Sequence, residues 1–417
     1  LIMRLKFTWH FALIFVLCAV SCDYEEDPVK EIEESTSDQL KADNPIIHQG
    51  ISQFGRKSSN KLIIRFKVNT SEFSKANARN LLEVKNYERC SCGDSGLELW
   101  EFDPKKLPVG GIEEIKTKVD TDPDLEDSDF QYLLNLIGNT SFAGTSTAYK
   151  PYTKSRNDGI TIAVIDSGLD PTIPDVNSPY LYNSEVSGPP EYKSVSGWDF
   201  VENDSIPQDE QGHGTIVTSI ISEYLEAGSV PFQILPVRAF DKNGKGNLFD
   251  IACAIQYSVK NPDVDVINMS FGWYHIQSDI IGDLLSEASY SKIMVASAGN
   301  STNNNDLIAH YPSGYTVSNL FSVASHDQVP TALAPFSNFG FQSVDFAAPG
   351  DYKIGASDNT FKGTSYSAAF TAAKSAEILY NQSPLIAPFS QYIMQAGTFR
   401  PELQALSILK FPYTIDP

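Results

Sequence analysis

A doubly wound α/β chain with a mainly parallel sheet, preceded by a small α+β domain, is predicted by two features of the sequence. The first is a series of apolar runs of strand length after residue 156. These are Ile160 to Ile165, Phe232 to Val237, Val264 to Met269, Ile293 to Ala298 and Leu320 to Ala324, with helical patterns among them. Runs apolar at nearly every position suit parallel strands buried on both faces, whereas a half-exposed strand would alternate. The second feature is a repeated change of period between about residues 61 and 137. Short alternating runs and short amphipathic stretches follow one another there as β-α-β-β-α-β, the split ferredoxin-like arrangement.

Taken in order, residues 1–22 read as an export signal. Met3 reads as the start, with Arg4 and Lys6 as a basic head before the apolar stretch Phe11 to Val20, which is too short to span a bilayer. Leu17 to Cys22 resembles a bacterial lipoprotein box, which implies acylation of Cys22 and a membrane anchor; a plain secretory signal is the alternative. Residues 23–60 open with Asp23-Tyr24-Glu25-Glu26-Asp27, carry too little apolar content to pack, and are expected to be a tether.

Within 61–137, Leu62 to Val68 alternates as a strand and Ser71 to Leu82 reads as a capped helix. Val84 to Cys92 and Leu97 to Phe102 read as strands joined by the turn Gly93-Asp94-Ser95-Gly96. Ile112 to Val119 then reads as a helix and Phe130 to Leu136 as a strand. The acidic run Asp120 to Asp129 is read as solvated charge, since its spacing fits no calcium loop. Residues 138–155, rich in Gly, Asn, Ser and Thr, read as a linker, 156–385 as the main domain and 386–417 as a C-terminal extension.

The chain's 417 residues allow two domains and a generous core. Its 31 Lys+Arg stand against 52 Asp+Glu, and the net charge of −21 repels nucleic acid and other polyanions, so no nucleic-acid partner is expected. The 5 cysteines are too few and scattered for a disulfide framework. Cys18 would leave with the signal. Cys90 and Cys92, on one face of a strand, would form a strained mutual bond. Cys253 lies in a helical pattern and reads as a small buried hydrophobe. No HExxH, phosphate-loop or dinucleotide fingerprint is present, so neither redox nor phosphoryl chemistry is suggested.

Three short segments carry a reaction. Asp166 ends the first apolar run and precedes Ser167-Gly168, His213 lies in Gly212-His213-Gly214-Thr215, and Ser365 lies in Gly363-Thr364-Ser365. A serine hydroxyl is a poor nucleophile at neutral pH and needs a base, and the base needs a carboxylate to hold its tautomer. His213 is followed by the helical pattern Ile216, Val217, Ile220, Ile221, Leu225, and Ser365 opens a helix of small residues whose N–H groups face any oxyanion formed there.

These segments, in the order Asp, His, Ser, resemble the signatures of the subtilisin-like serine endopeptidases over about residues 150 to 385. The resemblance implies a subtilisin-like fold and hydrolysis of protein or peptide substrates through an acyl-enzyme. By the same resemblance Asn300, in Ser297-Ala298-Gly299-Asn300, is an oxyanion donor. Ser270-Phe271-Gly272 and Gly244-Lys245-Gly246 resemble the segments that pair with the substrate backbone, and His310, before Tyr311-Pro312, stands where glycine often floors the primary specificity pocket. An imidazole there is expected to favour small or acidic residues before the cut. After the serine the chain departs from the family pattern, with Tyr366, Ala369 and Phe370 where Met, Pro and His are usual. The upstream unit resembles, in position and pattern, a propeptide that folds with the enzyme and inhibits it. Calcium is common in such proteins, but no ligands are assigned, and no other cofactor is implied. The alternative is a catalytically silent or merely self-processing binding protein on the same fold.

Overall fold

The computed structural model describes residues 55–91, 96–136, 159–170, 181–182, 197–327, 331–353, 360–383, 386, 389–406 and 408–416. The signal, Cys22, most of the tether and the 138–155 linker lie outside the described residues. Residues 48–417 form one compact unit.

The first sheet runs Asn86–Arg89, Leu97–Glu101, Arg56–Phe66, Leu125–Asn135, all antiparallel. Helices Glu72–Leu81 and Gly111–Val119 cover one face, so the ferredoxin-like reading holds. Ser71 caps the first helix, its Oγ accepting the Ser74 N–H at 3.1 Å. The core between sheet and helices is Leu62, Ile64, Phe66, Trp100, Ile112 and Val119. Two boundaries move. The first strand begins at Arg56, inside the expected tether, and the last begins at Leu125, inside the acidic run. Asp129, expected in solvent, is buried: its Oδ2 accepts from Ser278 Oγ at 2.6 Å and from the Ile280 N–H at 3.2 Å, at the start of helix Asp279–Ala288. A carboxylate there satisfies donors that no helical carbonyl reaches.

The larger sheet is ordered Thr398–Phe399, Tyr413–Thr414, Phe346–Pro349, Leu320–His326, Ile293–Ser297, Val266–Met269, Ile160–Asp166, Phe232–Arg238, Trp198–Asp199. All five apolar runs become neighbouring parallel strands. Successive residues face opposite layers. Ile162 and Val164 pack with helices His213–Ala227 and Thr364–Gln382, while Ala163 and Ile165 pack with Leu248–Lys260 and Asp279–Ala288. The double winding follows, because each strand has two apolar faces to cover. The C-terminal extension is part of this sheet rather than an appendage: Thr414 pairs in parallel with Ala347, and Lys410 Nζ bonds Asp345 Oδ1 at 2.9 Å.

The two sheets meet through strand Lys245–Asn247, which adds to the small sheet with Leu133 opposite Asn247, Leu134 opposite Gly246 and Asn135 opposite Lys245. Gln131 Oε1 accepts the Phe249 N–H at 3.1 Å at the start of helix Leu248–Lys260, and Arg65 pairs with Asp283 and Glu287. One expectation fails at this junction. Cys253 is not a free buried thiol: it is bonded to Cys90, 163 residues earlier, with Cα atoms 5.6 Å apart. The local patterns of a strand and a helix say nothing about which face of one docks on the other.

Candidate active site

Asp166 closes strand Ile160–Asp166 at its carboxyl end, where open α/β sheets present their ligand sites. Its buried carboxylate accepts the Ser167 N–H at 2.7 Å and stands 2.8 and 3.0 Å from Nδ1 of His213. His213 is the first residue of its helix. Two glycines permit the approach: a Cβ on Gly214 would lie 2.3 Å from the Gly168 carbonyl oxygen, and Gly168 itself has φ +111°. Asp209 fixes the entry to the helix, Oδ1 accepting from the Gln211 and Gly212 N–H groups and Oδ2 from the Thr215 N–H and hydroxyl. Burial pulls the His213 pKa down, but the Asp166 carboxylate, by charge and hydrogen bond, more than reverses this and leaves it raised.

Ser365 lies in the first turn of helix Thr364–Gln382. Its hydroxyl donates to the Ser270 carbonyl at 3.0 Å, so the side chain is turned toward Ser270 and not hydrogen-bonded to His213. Tyr366, next along the helix, brings its ring to 5.9 Å from that of His213. Asn300 Oδ1 accepts both the Thr364 N–H at 2.8 Å and its hydroxyl at 2.9 Å. The Asn300 amide nitrogen lies near Gly363.

Ser270, Phe271 and Gly272 follow strand Val266–Met269, with Phe271 buried against Trp273. His310 is 1% exposed and spans the space between this segment and the Asn300 segment. A Cβ on Gly272 would lie 2.1 Å from its Cε1, and one on Gly299 3.1 Å from its Cδ2. Its Nδ1 is 2.8 Å from Ser313 Oγ, which also lies 3.1 Å from the His310 carbonyl oxygen. Nε2 is buried and has no hydrogen-bond partner among the described residues, and burial pushes the ring's pKa down to about 3. Gly244, Lys245 and Gly246 lie along Leu133 to Leu136, with Gly244 beside Gln211, whose Oε1 accepts the His213 N–H at 2.8 Å. The Leu136 N–H bonds the Gly244 carbonyl at 2.5 Å.

Residues 157–396 match the subtilase family, peptidase S8. The chain belongs to that family. It is a subtilisin-like serine peptidase with the α/β fold expected of one. The subtilase is similar to the thermophilic serine proteinase of Bacillus sp. (strain AK1), at 30% identity over 76% of this chain and 77% of that protein. It is also similar to thermitase of Thermoactinomyces vulgaris, at 33% identity over 48% of this chain and 65% of that one. A crystal structure of a cold adapted subtilisin-like serine proteinase aligns with TM-score 0.49 and 22% identity over 68% of this chain and 98% of its own.

Several residues of this subtilase's site escaped the sequence reading. Asp209 carried a signal, an aspartate just upstream of a helix start, which is a capping pattern. Thr364 and the Ser270 carbonyl carried none, since their contacts with Asn300 and Ser365 join segments far apart in the chain; Ser313, three residues after His310, is a local partner of that ring. Among the described residues no three His, Cys, Asp or Glu side chains converge as metal ligands.

Proposed function

We propose that this peptidase cleaves internal peptide bonds with Ser365 as nucleophile, His213 as general base and acid, and Asp166 as the group that holds the imidazole and stabilises its cation. The observation that carries the reading is the buried pair of Asp166 oxygens at 2.8 and 3.0 Å from Nδ1, which leaves Nε2 of His213 to take the serine proton. The Ser365 hydroxyl must leave the Ser270 carbonyl and turn to His213 for attack. The oxyanion would then meet the Ser365 N–H and the Asn300 amide.

The segment Gly244-Lys245-Gly246 is proposed to bind substrate as an added strand, as it pairs with Leu134 and Asn135 of the chain's own N-terminal domain. That domain is then an intramolecular inhibitor lying along the substrate path. His310 closes the slot between Gly272 and Gly299, which leaves room for only a small side chain before the cut. With its pKa pushed down by burial the ring is neutral and offers a carboxylate no counter-charge, so it suits an apolar or hydroxyl-bearing residue. Export is proposed from the buried cystine, which belongs to an oxidising compartment, and from relatives such as the minor extracellular protease Epr of Bacillus subtilis. A lipid anchor on Cys22 is proposed on the sequence alone.

Labelling with a fluorophosphonate followed by peptide mapping tests the reading. Label is expected on Ser365, with none in Ser365→Ala and peptide hydrolysis nearly abolished. A Ser365→Ala protein that kept wild-type hydrolysis would overturn it.

A further inference from the structure

The N-terminal domain is joined to the peptidase domain twice: by the chain through residues 137–158 and by the cystine Cys90–Cys253. Cys90 follows the edge strand Asn86–Arg89, and Cys253 lies in helix Leu248–Lys260, whose start receives Gln131. Both cysteines are buried, at 5% and 1% exposure, and Trp198 Nε1 donates to Ser91 Oγ at 2.9 Å alongside. The bond therefore ties the inhibiting domain to the body of the enzyme independently of the linker. Cutting the linker does not release it.

We propose that Cys90–Cys253 is a redox-gated lock, so that proteolysis of the linker yields a two-chain enzyme that stays inhibited until a dithiol reduces the cystine. This rests on the peptidase reading above. While the bond is intact, Leu133 to Leu136 faces Gly244 to Asn247 as an intramolecular ligand, and tethering of this kind raises the apparent affinity by about 10²- to 10⁴-fold over a separate chain. In the release step a thiolate of the dithiol attacks one sulfur, and the S–S electron pair leaves with the other as a thiolate. The second thiol of the reductant then displaces the mixed disulfide. The products are Cys90 and Cys253 thiols and the oxidised, cyclic disulfide of the reductant, a balanced two-electron exchange. Burial of both sulfurs means that exchange needs a transient parting of the docked faces, so the docked domain protects its own tether.

The test uses the full chain, Cys90→Ser and Cys253→Ala. Wild type after maturation is expected to run as one species without reductant and as two with dithiothreitol. Peptide hydrolysis should rise at least about tenfold as two thiols appear by mass spectrometry. Both variants should lose the N-terminal domain on size exclusion without reductant and show the higher rate from the start. Release of the wild-type domain without reductant overturns the lock. So does an uncut chain that is fully active, or an enzyme that labels at Ser365 and is indifferent to reduction and to both substitutions. If no form labels at Ser365 or hydrolyses peptide, the peptidase reading falls and the lock with it.

Discussion

Asn300 makes two separable contributions, one through each end of its amide. Its Oδ1 accepts from the N–H and the hydroxyl of Thr364, a fully buried residue, and its Nδ2 is the donor proposed for the oxyanion. Asn300→Ala removes both, while Asn300→Asp keeps the acceptor and removes the donor. Loss of an oxyanion donor costs roughly 10²- to 10³-fold in kcat, a magnitude established on a subtilisin rather than derived for this chain. Leaving the Thr364 donors without an acceptor costs about 1–3 kcal/mol of stability. That corresponds to a melting shift of roughly 2–4 °C per kcal/mol in a domain of about 200 residues. The expected pattern is therefore split. Both variants should lose kcat with KM nearly unchanged, and only Asn300→Ala should also lower Tm. Steady-state kinetics on a chromogenic peptide and a thermal melt read the two ends separately. A kcat for Asn300→Ala within threefold of wild type would refute the donor role. An unchanged Tm would refute the claim that Thr364 depends on Asn300.

Three further perturbations bear on the same arrangement. Gly214→Ala puts a methyl 2.3 Å from the Gly168 carbonyl and must push the His213 helix off Asp166. It should destabilise by about 1–3 kcal/mol and lower kcat, and equal kinetics and melting would argue against the tight approach. His310→Gly should move the preference in a peptide library from small residues toward large aromatic ones before the cut, whereas a wild-type profile already led by Phe or Tyr would contradict the closed slot. Asp250, at the junction with the N-terminal domain, is raised to about 7 by burial, with Glu88 and Asp199 adding to the effect and Asn247 and Lys61 opposing it. Because its folded pKa exceeds the ordinary 3.8, its stabilising protonation is complete below that value and is lost as pH rises through about 7. Melting of wild type at pH 5 and pH 8 should show that loss, and Asp250→Asn should flatten it; an unaltered pH dependence would remove Asp250 as its source.

The settings of the candidate site residues were legible because their requirements are local. A histidine between glycines at a helix start, an aspartate ending a buried strand and a serine opening a small-residue helix each describe their setting within a few positions. The five central strands were legible for the same reason, since burial on both faces excludes polar residues from the run itself. Boundaries at Arg56 and Leu125 were not, because polar residues there gain strand partners only when the small sheet forms.

What no local pattern contains is which distant surfaces meet. Cys90 and Cys253 each read as unremarkable positions, and their bond exists because strand Lys245–Asn247 continues the small sheet and carries helix Leu248–Lys260 onto it. Asp129 read as solvated charge until a helix start arrived to use it. Thr364 holds the Asn300 amide across a contact that only the folded chain creates. The sequence by itself determined the fold class and the local settings of the candidate site residues, through periodicity and steric need. The tertiary structure alone decided the pairing of groups far apart in the chain, because hydrogen bonds, caps and cystines depend on position in space and leave no periodic trace.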